Sequence, residues 1–179
     1  MPAPLTVTRR INAPRDLVYR AWTEPEQFRQ WFGPHAAAMP VCSLDVRTGG
    51  SLRFLHRFEA DAIDTWVGGT FLDVVPQERL VFEVHFTDEH GVAIERPGFP
   101  RSMQITATFS DDDGGTRVTI QMDGLVIDQG ESVGMVEMLE RLEALFTTAP
   151  ADTHAANSTA STADEAPHGA RGWIVQPQR

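Results

Sequence analysis

Among the residues able to do acid–base or recognition chemistry, His56 has the most informative setting. Leu52, Phe54, His56 and Phe58 alternate with Arg53, Leu55 and Arg57, the period-2 pattern of a half-buried strand. That parity places His56 on the apolar face, where desolvation favours the neutral imidazole. A neutral imidazole in such a place could hydrogen-bond a ligand oxygen or act as an acid/base. The competing reading is a core or strand-end histidine satisfied by backbone or water. His85 has the opposite parity beside Glu83, which suits a solvated sheet face, and His35 follows Gly33-Pro34 in a loop. His56 is thus the one candidate catalytic residue.

Other chemistries find little support. His35, His56, His85 and His90 show no HxH, HExxH or Cys/His spacing, so no metal ligands are assigned. The run Asp111-Asp112-Asp113-Gly114-Gly115 lacks the twelve-residue calcium-loop pattern with its terminal glutamate, and it sits between two alternating stretches as a charged hairpin turn. Gly49-Gly50 and Gly68-Gly69 do not lead into helices as phosphate-cradling loops do. There is no GxSxG elbow, and no cofactor is expected. The single cysteine, Cys42, excludes an intrachain disulfide and reads as a buried structural thiol. A formal net charge of −10, with arginine supplying all fifteen basic residues, argues against nucleic-acid binding and against adsorption to anionic membranes. No apolar run approaches the ~18 residues of a membrane span. The chain enters Leu5-Thr-Val-Thr without a charged-then-apolar leader, so a cytoplasmic protein is expected.

The elements that must position these residues follow from periodicity. Residues 5–12 read as a first strand. Pro14 opens a short helix carrying Leu17, Val18, Ala21 and Trp22, and Thr23-Glu24-Pro25-Glu26 resembles a capping box before a second helix with Phe28, Trp31 and Phe32. From residue 41 the pattern is β: 41–45, 52–58, 66–75 with a bulge expected at Gly68-Gly69, then 80–86, 103–109 and 116–122, joined mostly by short turns. Residues 131–146 form the last helix. On a wheel, Met135, Met138, Leu139, Leu142, Leu145 and Phe146 share an arc of about 120°, and Glu137 and Arg141 are spaced for an i,i+4 ion pair. Strands linked by short turns imply an antiparallel sheet, and the amphipathic helix needs its apolar surface. The 147–179 segment is rich in Ala, Ser and Thr and carries one apolar island, Trp173-Ile174-Val175; it is expected to be a disordered tail beside a 1–146 domain.

Several blocks together resemble a known family. They are Ile11-Asn12-Ala13-Pro14 with Val18-Tyr19, Ala21-Trp22-Thr23 and Trp31-Phe32-Gly33-Pro34; Asp45-Val46-Arg47-Thr48-Gly49-Gly50 with Leu52-Arg53-Phe54; Gly69-Thr70-Phe71 through Val81-Phe82; Gly115-Thr116-Arg117-Val118-Thr119; and Gly134 with Leu139-Glu140-Arg141-Leu142. The resemblance, over about residues 5–146, is to the C-terminal-type domain of activators of heat-shock protein 90 ATPase, in the START-like (SRPBCC) helix-grip superfamily. It implies an α+β fold: a curved antiparallel sheet wrapped around a long C-terminal helix, two short helices after strand 1, and an apolar cavity between sheet and helix. The family's final helix usually carries Gly-Trp, whereas here Met135 follows Gly134. The separate N-terminal domain with which eukaryotic co-chaperones of this group engage their client is not part of the match. A chaperone is the partner that the family implies, and polyketide cyclases or hydratases within the superfamily imply an enzymatic alternative using His56.

The expected role is a non-catalytic or weakly catalytic domain, monomeric or homodimeric, that binds a small hydrophobic molecule. The expected lining is Trp31, Phe54, His56, Phe58, Trp66, Phe82, Met103, Met135 and Met138, with Leu139, Leu142 and Phe146 packing as core. Small-molecule sites commonly exceed ~300 Å³, which sets the scale for the cavity.

Overall fold

The computed structural model describes residues 5–124 and 129–147. Its element order is β1 (Leu5–Ile11), α1 (Arg15–Thr23), α2 (Pro25–Trp31), β2 (Ala38–Leu44), β3 (Ser51–Phe58), β4 (Ile63–Val75), β5 (Arg79–Thr87), β6 (Met103–Asp112), β7 (Gly115–Asp123) and α3 (Gln129–Thr147). The strands form one seven-stranded antiparallel sheet in the order β1-β7-β6-β5-β4-β3-β2. It is a meander in which the first strand returns to pair with the last. The expected α+β helix-grip architecture is therefore present, with the helices gathered on the concave face. The expectations for the 148–179 tail, including Trp173-Ile174-Val175, lie outside the described residues.

Alternation decides which face is which. Leu52, Phe54, His56 and Phe58 of β3, Leu80, Phe82, Val84 and Phe86 of β5, and Met103, Ile105, Ala107 and Phe109 of β6 are all buried. Val118, Ile120 and Met122 complete the row on β7. Against these rows α3 lays Met135, Met138, Leu139 and Leu142, each at most 3% exposed; such burial stabilises by roughly 1.5–3 kcal/mol per side chain. Leu145 and Phe146 are only partly buried at the edge of this contact.

The two short helices close one end of the sheet. Pro14 stands at the N-cap of α1 in an extended conformation, and Asp16 sits in the first turn where the helix dipole favours a carboxylate. The Trp31 indole N–H donates to the Ala21 carbonyl at 2.9 Å, joining α2 to α1. The Trp22 and Trp31 rings lie 4.6 Å apart, and Trp22 meets Phe109 edge-on at 5.5 Å.

Three local expectations are corrected. The capping box does not form: the Thr23 hydroxyl donates back to the Tyr19 carbonyl, and the N-cap is Glu24, whose carboxylate is taken by Arg20 and Gln27. The β-irregularity lies between Phe71 and Asp73, not at Gly68-Gly69, which stay in register with His85 and Val84. Glycine is needed at position 69 for another reason, since a Cβ there would stand 2.0 Å from the Glu83 carbonyl oxygen. The third correction concerns Glu137 and Arg141. Arg141 does not bridge to Glu137 but donates to the backbone carbonyls of Gln30, Gly33 and Pro34. Three carbonyls at the end of α2 offer it more than one solvated carboxylate.

The close approach of β4 and β5 is open to test. Gly69→Ala should destabilise the protein by about 1–3 kcal/mol, the usual range for forced overpacking, read as a lower urea midpoint. An unchanged midpoint would contradict that packing.

Candidate functional site

At the end of the sheet away from the Trp22–Trp31 pair, the packing is incomplete. A cavity of about 40 Å³ lies between the concave face and the helices. Its sheet wall is Phe54, His56 and Phe58 of β3, Thr65 and Val67 of β4, Val84 and Phe86 of β5, Met103 and Ile105 of β6, and Met122 of β7. Its other wall is Phe32-Gly33-Pro34 and Met138 of α3, and Arg96 comes in from the loop between β5 and β6. A void of that size has room for about three waters at ~10–15 Å³ each. It is well below the ~300 Å³ of an open ligand site. Three of its walls, however, are methionine side chains, which change rotamer easily and fill or vacate irregular space.

His56 is the polar feature of this interior. The residue is 7% exposed, and its Nε2 is buried with no hydrogen-bond partner among the described residues. The imidazole pKa is pushed down to about 4: burial lowers it most, a backbone hydrogen bond with Phe32 works in the other direction, and the Arg141 guanidinium adds to the lowering. The ring is therefore neutral at pH 7. Leaving one buried ring nitrogen unpaired is destabilising by about 1–3 kcal/mol. Gly33 closes over it with φ +108°, and a Cβ at that position would lie 2.3 Å from Nε2. The Gly33 N–H meanwhile points at Met138 Sδ, 3.1 Å away.

Two further polar groups stand beside the imidazole. Thr65 is directly opposite His56 in the β3–β4 register. Its Oγ1 accepts a 3.1 Å hydrogen bond from Arg96 Nη1. The Arg96 guanidinium carbon sits 5.0 Å from the Phe86 ring centre and 5.8 Å from that of Phe99, a cation–π arrangement. Sequence reasoning missed both Thr65 and Arg96. Thr65 could have been found by counting back from the β3–β4 turn, because it is His56's cross-strand neighbour. Arg96 carries no such signal: it is a charged residue in a polar Pro/Gly loop.

The expected lining residues divide into two groups. Phe54, His56, Phe58, Met103 and Met138 come together around the cavity. Trp31, Phe82 and Met135 are buried but stand elsewhere in the core, Trp31 because its indole is bound to α1 and Met135 because it lies one turn away from the opening. Trp66 is on the opposite face. Thr65 and Val67 point inward, so Trp66 points outward, where the Arg53 guanidinium covers it at 4.2 Å. His35 is exposed. Cys42 is half-buried, and burial pushes its thiol up to about 11, which favours the protonated form. Among the described residues no three His, Cys, Asp or Glu side chains are grouped to hold a metal, and no helix is long and apolar enough to cross a membrane.

A family model described as Activator of Hsp90 ATPase homolog 1-like protein matches residues 12–147. The chain belongs to this family. Solved structures agree. A protein of Chromobacterium violaceum is 28% identical, with 81% of this chain and 97% of that one aligned at a TM-score of 0.67. A Mycobacterium smegmatis protein shares the fold at 22% identity, covering 83% and 93% of the two chains at a TM-score of 0.69. DynU16, described as a putative protein in the dynemicin biosynthetic locus, shares it at 22% identity and a TM-score of 0.59 over 83% of this chain and 48% of its own. No curated protein matches the chain. The family assignment accounts for the long C-terminal helix gripped by the sheet; the polar trio in the cavity is read from this chain's own residues.

The buried imidazole makes stability depend on pH. Unfolded His56 titrates near its ordinary value of 6.5, and the folded ring near 4. Between those values the unfolded chain binds more protons, so stability rises with pH. The contribution is complete above pH 6.5 and is lost as pH falls towards 4. It amounts to at most about 3 kcal/mol. His56→Gln should flatten the pH 4–6.5 limb of the urea-midpoint profile relative to the parent; parallel profiles would show that His56 titrates normally.

Proposed function

We propose that this family member binds a small, mainly apolar molecule in the cavity beneath α3. The observation that carries the reading is the buried Nε2 of His56, without a hydrogen-bond partner among the described residues, in a mainly apolar interior. A buried polar atom without a partner is destabilising in the free protein, and a ligand's polar group would satisfy it. Membership of a superfamily whose members bind ligands supports the same reading.

The cavity of about 40 Å³ must widen on binding. Met103, Met122 and Met138 can vacate space by rotamer change, with no strand moved. Binding then exchanges methionine contacts for ligand contacts, which favours small or flat ligands over large ones. His56 acts in recognition in this reading. With a pKa of about 4 it is too weak a base to drive proton abstraction efficiently near neutrality.

The test uses 1-naphthol, a neutral aromatic with one hydroxyl, followed by its fluorescence. The parent protein should bind it saturably. Val84→Phe, which fills the cavity from the sheet side, should weaken binding at least about tenfold, or ~1.4 kcal/mol, with the far-UV circular dichroism unchanged. No saturable binding by the parent, or equal binding by the folded variant, would overturn the proposal.

A further inference from the structure

The cavity's chemistry is lopsided, and Arg96 is the reason. Its guanidinium is partly buried, and burial lowers its pKa from the ordinary value with no carboxylate opposing the shift. Among the described residues Arg96 makes no ion pair; the nearest acidic neighbour in sequence, Glu95, is paired with Arg101 at 2.5 Å. Its side chain's hydrogen bond to a described residue is the one to Thr65 Oγ1, which leaves most of the guanidinium's five donors for another acceptor. Elsewhere in the chain Arg57, Arg79 and Arg117 are matched with aspartates, and Arg10, Arg53 and Arg141, which also make no ion pair among the described residues, donate to backbone carbonyls. The chain carries ten more acidic than basic residues, 25 against 15, so a cation without an acidic partner is not explained by scarcity.

Position adds to this. Arg96 lines the internal cavity and also a crevice of about 350 Å³ on the outer loop, formed with Glu95, Pro97, Gly98, Phe99 and Arg101. It therefore stands where the apolar interior meets the surface. The Phe86 and Phe99 rings, their centres 5.1 Å apart, both flank it from one side, so the donors of the planar fork that turn away from them are the ones left for hydrogen bonding. Thr65 adds a hydroxyl and His56 a ring nitrogen at the same end of the cavity.

Resting on the cavity-binding reading above, we infer that the ligand is an amphipathic carboxylate, its apolar body among the methionines and its carboxylate held by Arg96 at the mouth with Thr65 beside it. A planar fork pairs with a carboxylate through two parallel hydrogen bonds. The pairing is strong because Arg96 is partly desolvated on its aromatic platform. The protein's overall negative charge repels such a ligand at long range, so recognition depends on the local contact with Arg96. Charge-assisted bonds of this kind discriminate by roughly tenfold to a hundredfold.

The experiment compares hexanoate, 1-hexanol and hexylammonium, matched in apolar length, by calorimetric titration of the full chain at pH 7.5. Hexanoate should bind at least about tenfold more tightly than hexanol, and hexylammonium most weakly. In Arg96→Met, which keeps the apolar stem over Phe86, the preference for hexanoate over hexanol should vanish. Arg96→Lys, which keeps the charge and loses the fork, should fall between. The parent comparison needs no variant and stands even if a substitution impairs folding. Hexanol bound as tightly as hexanoate, or a preference that survives Arg96→Met, would overturn the carboxylate assignment and leave the cavity reading intact. Failure of all three to bind would overturn both.

Discussion

Arg141 donates to the carbonyls of Gln30, Gly33 and Pro34, and the rest of the site depends on that contact. The end of α2 leaves backbone carbonyls without helical partners, and a half-buried guanidinium on α3 satisfies them. One turn earlier, Met138 receives the Gly33 N–H. Together the two side chains press the Phe32-Gly33-Pro34 segment onto the His56 ring, and Gly33 fits because it lacks a Cβ. The final helix thus does more than bury an apolar stripe: it holds the wall of the cavity in place. The same guanidinium, close to His56, also helps to keep the imidazole uncharged.

The two ends of the sheet serve different purposes. At one end the Trp22 ring meets those of Trp31 and Phe109, and Leu80 and Val118 are fully buried. Rigid rings fill that space and anchor α1 and α2 through the Trp31–Ala21 bond. At the other end, Met103, Met122 and Met138 stand among the phenylalanine rings, and His56, Thr65 and Arg96 interrupt the apolar lining. A ring nitrogen without a hydrogen-bond partner and a guanidinium without an acidic partner among the described residues both lower stability. A fold secured at its aromatic end can tolerate that, and such locally unfavourable groups are expected where a protein recognises something.

Much of this was legible in the sequence because alternation and helical periodicity are physical consequences of one-sided burial. The inward parity of His56 followed from Leu52, Phe54 and Phe58, and the α3 stripe from Met135 to Leu142. What misled was hydrophobicity taken without parity. Trp66 is large and apolar, yet β4 turns it outward, and an arginine on the neighbouring strand shields its ring. The expected bulge at Gly68-Gly69 obscured this, since a bulge there would change the parity between Trp66 and Phe71. Met135 and Met138 share the apolar arc, but only Met138 reaches the segment after α2; which turn of a helix meets a void depends on tertiary packing. Arg96 was invisible because its environment is made by Phe86, Phe99 and Thr65, which the chain brings together only on folding.

The central claim is that the methionine-lined end of the sheet opens to admit a ligand while the aromatic end stays fixed. Methionine-methyl spectra of the labelled protein, recorded with and without saturating hexanoate, test it most directly. Binding in the cavity predicts shifts for Met103, Met122 and Met138, with Met39 and Met135 left in place. Unchanged spectra, or changes confined to Met39 and Met135, would contradict the account.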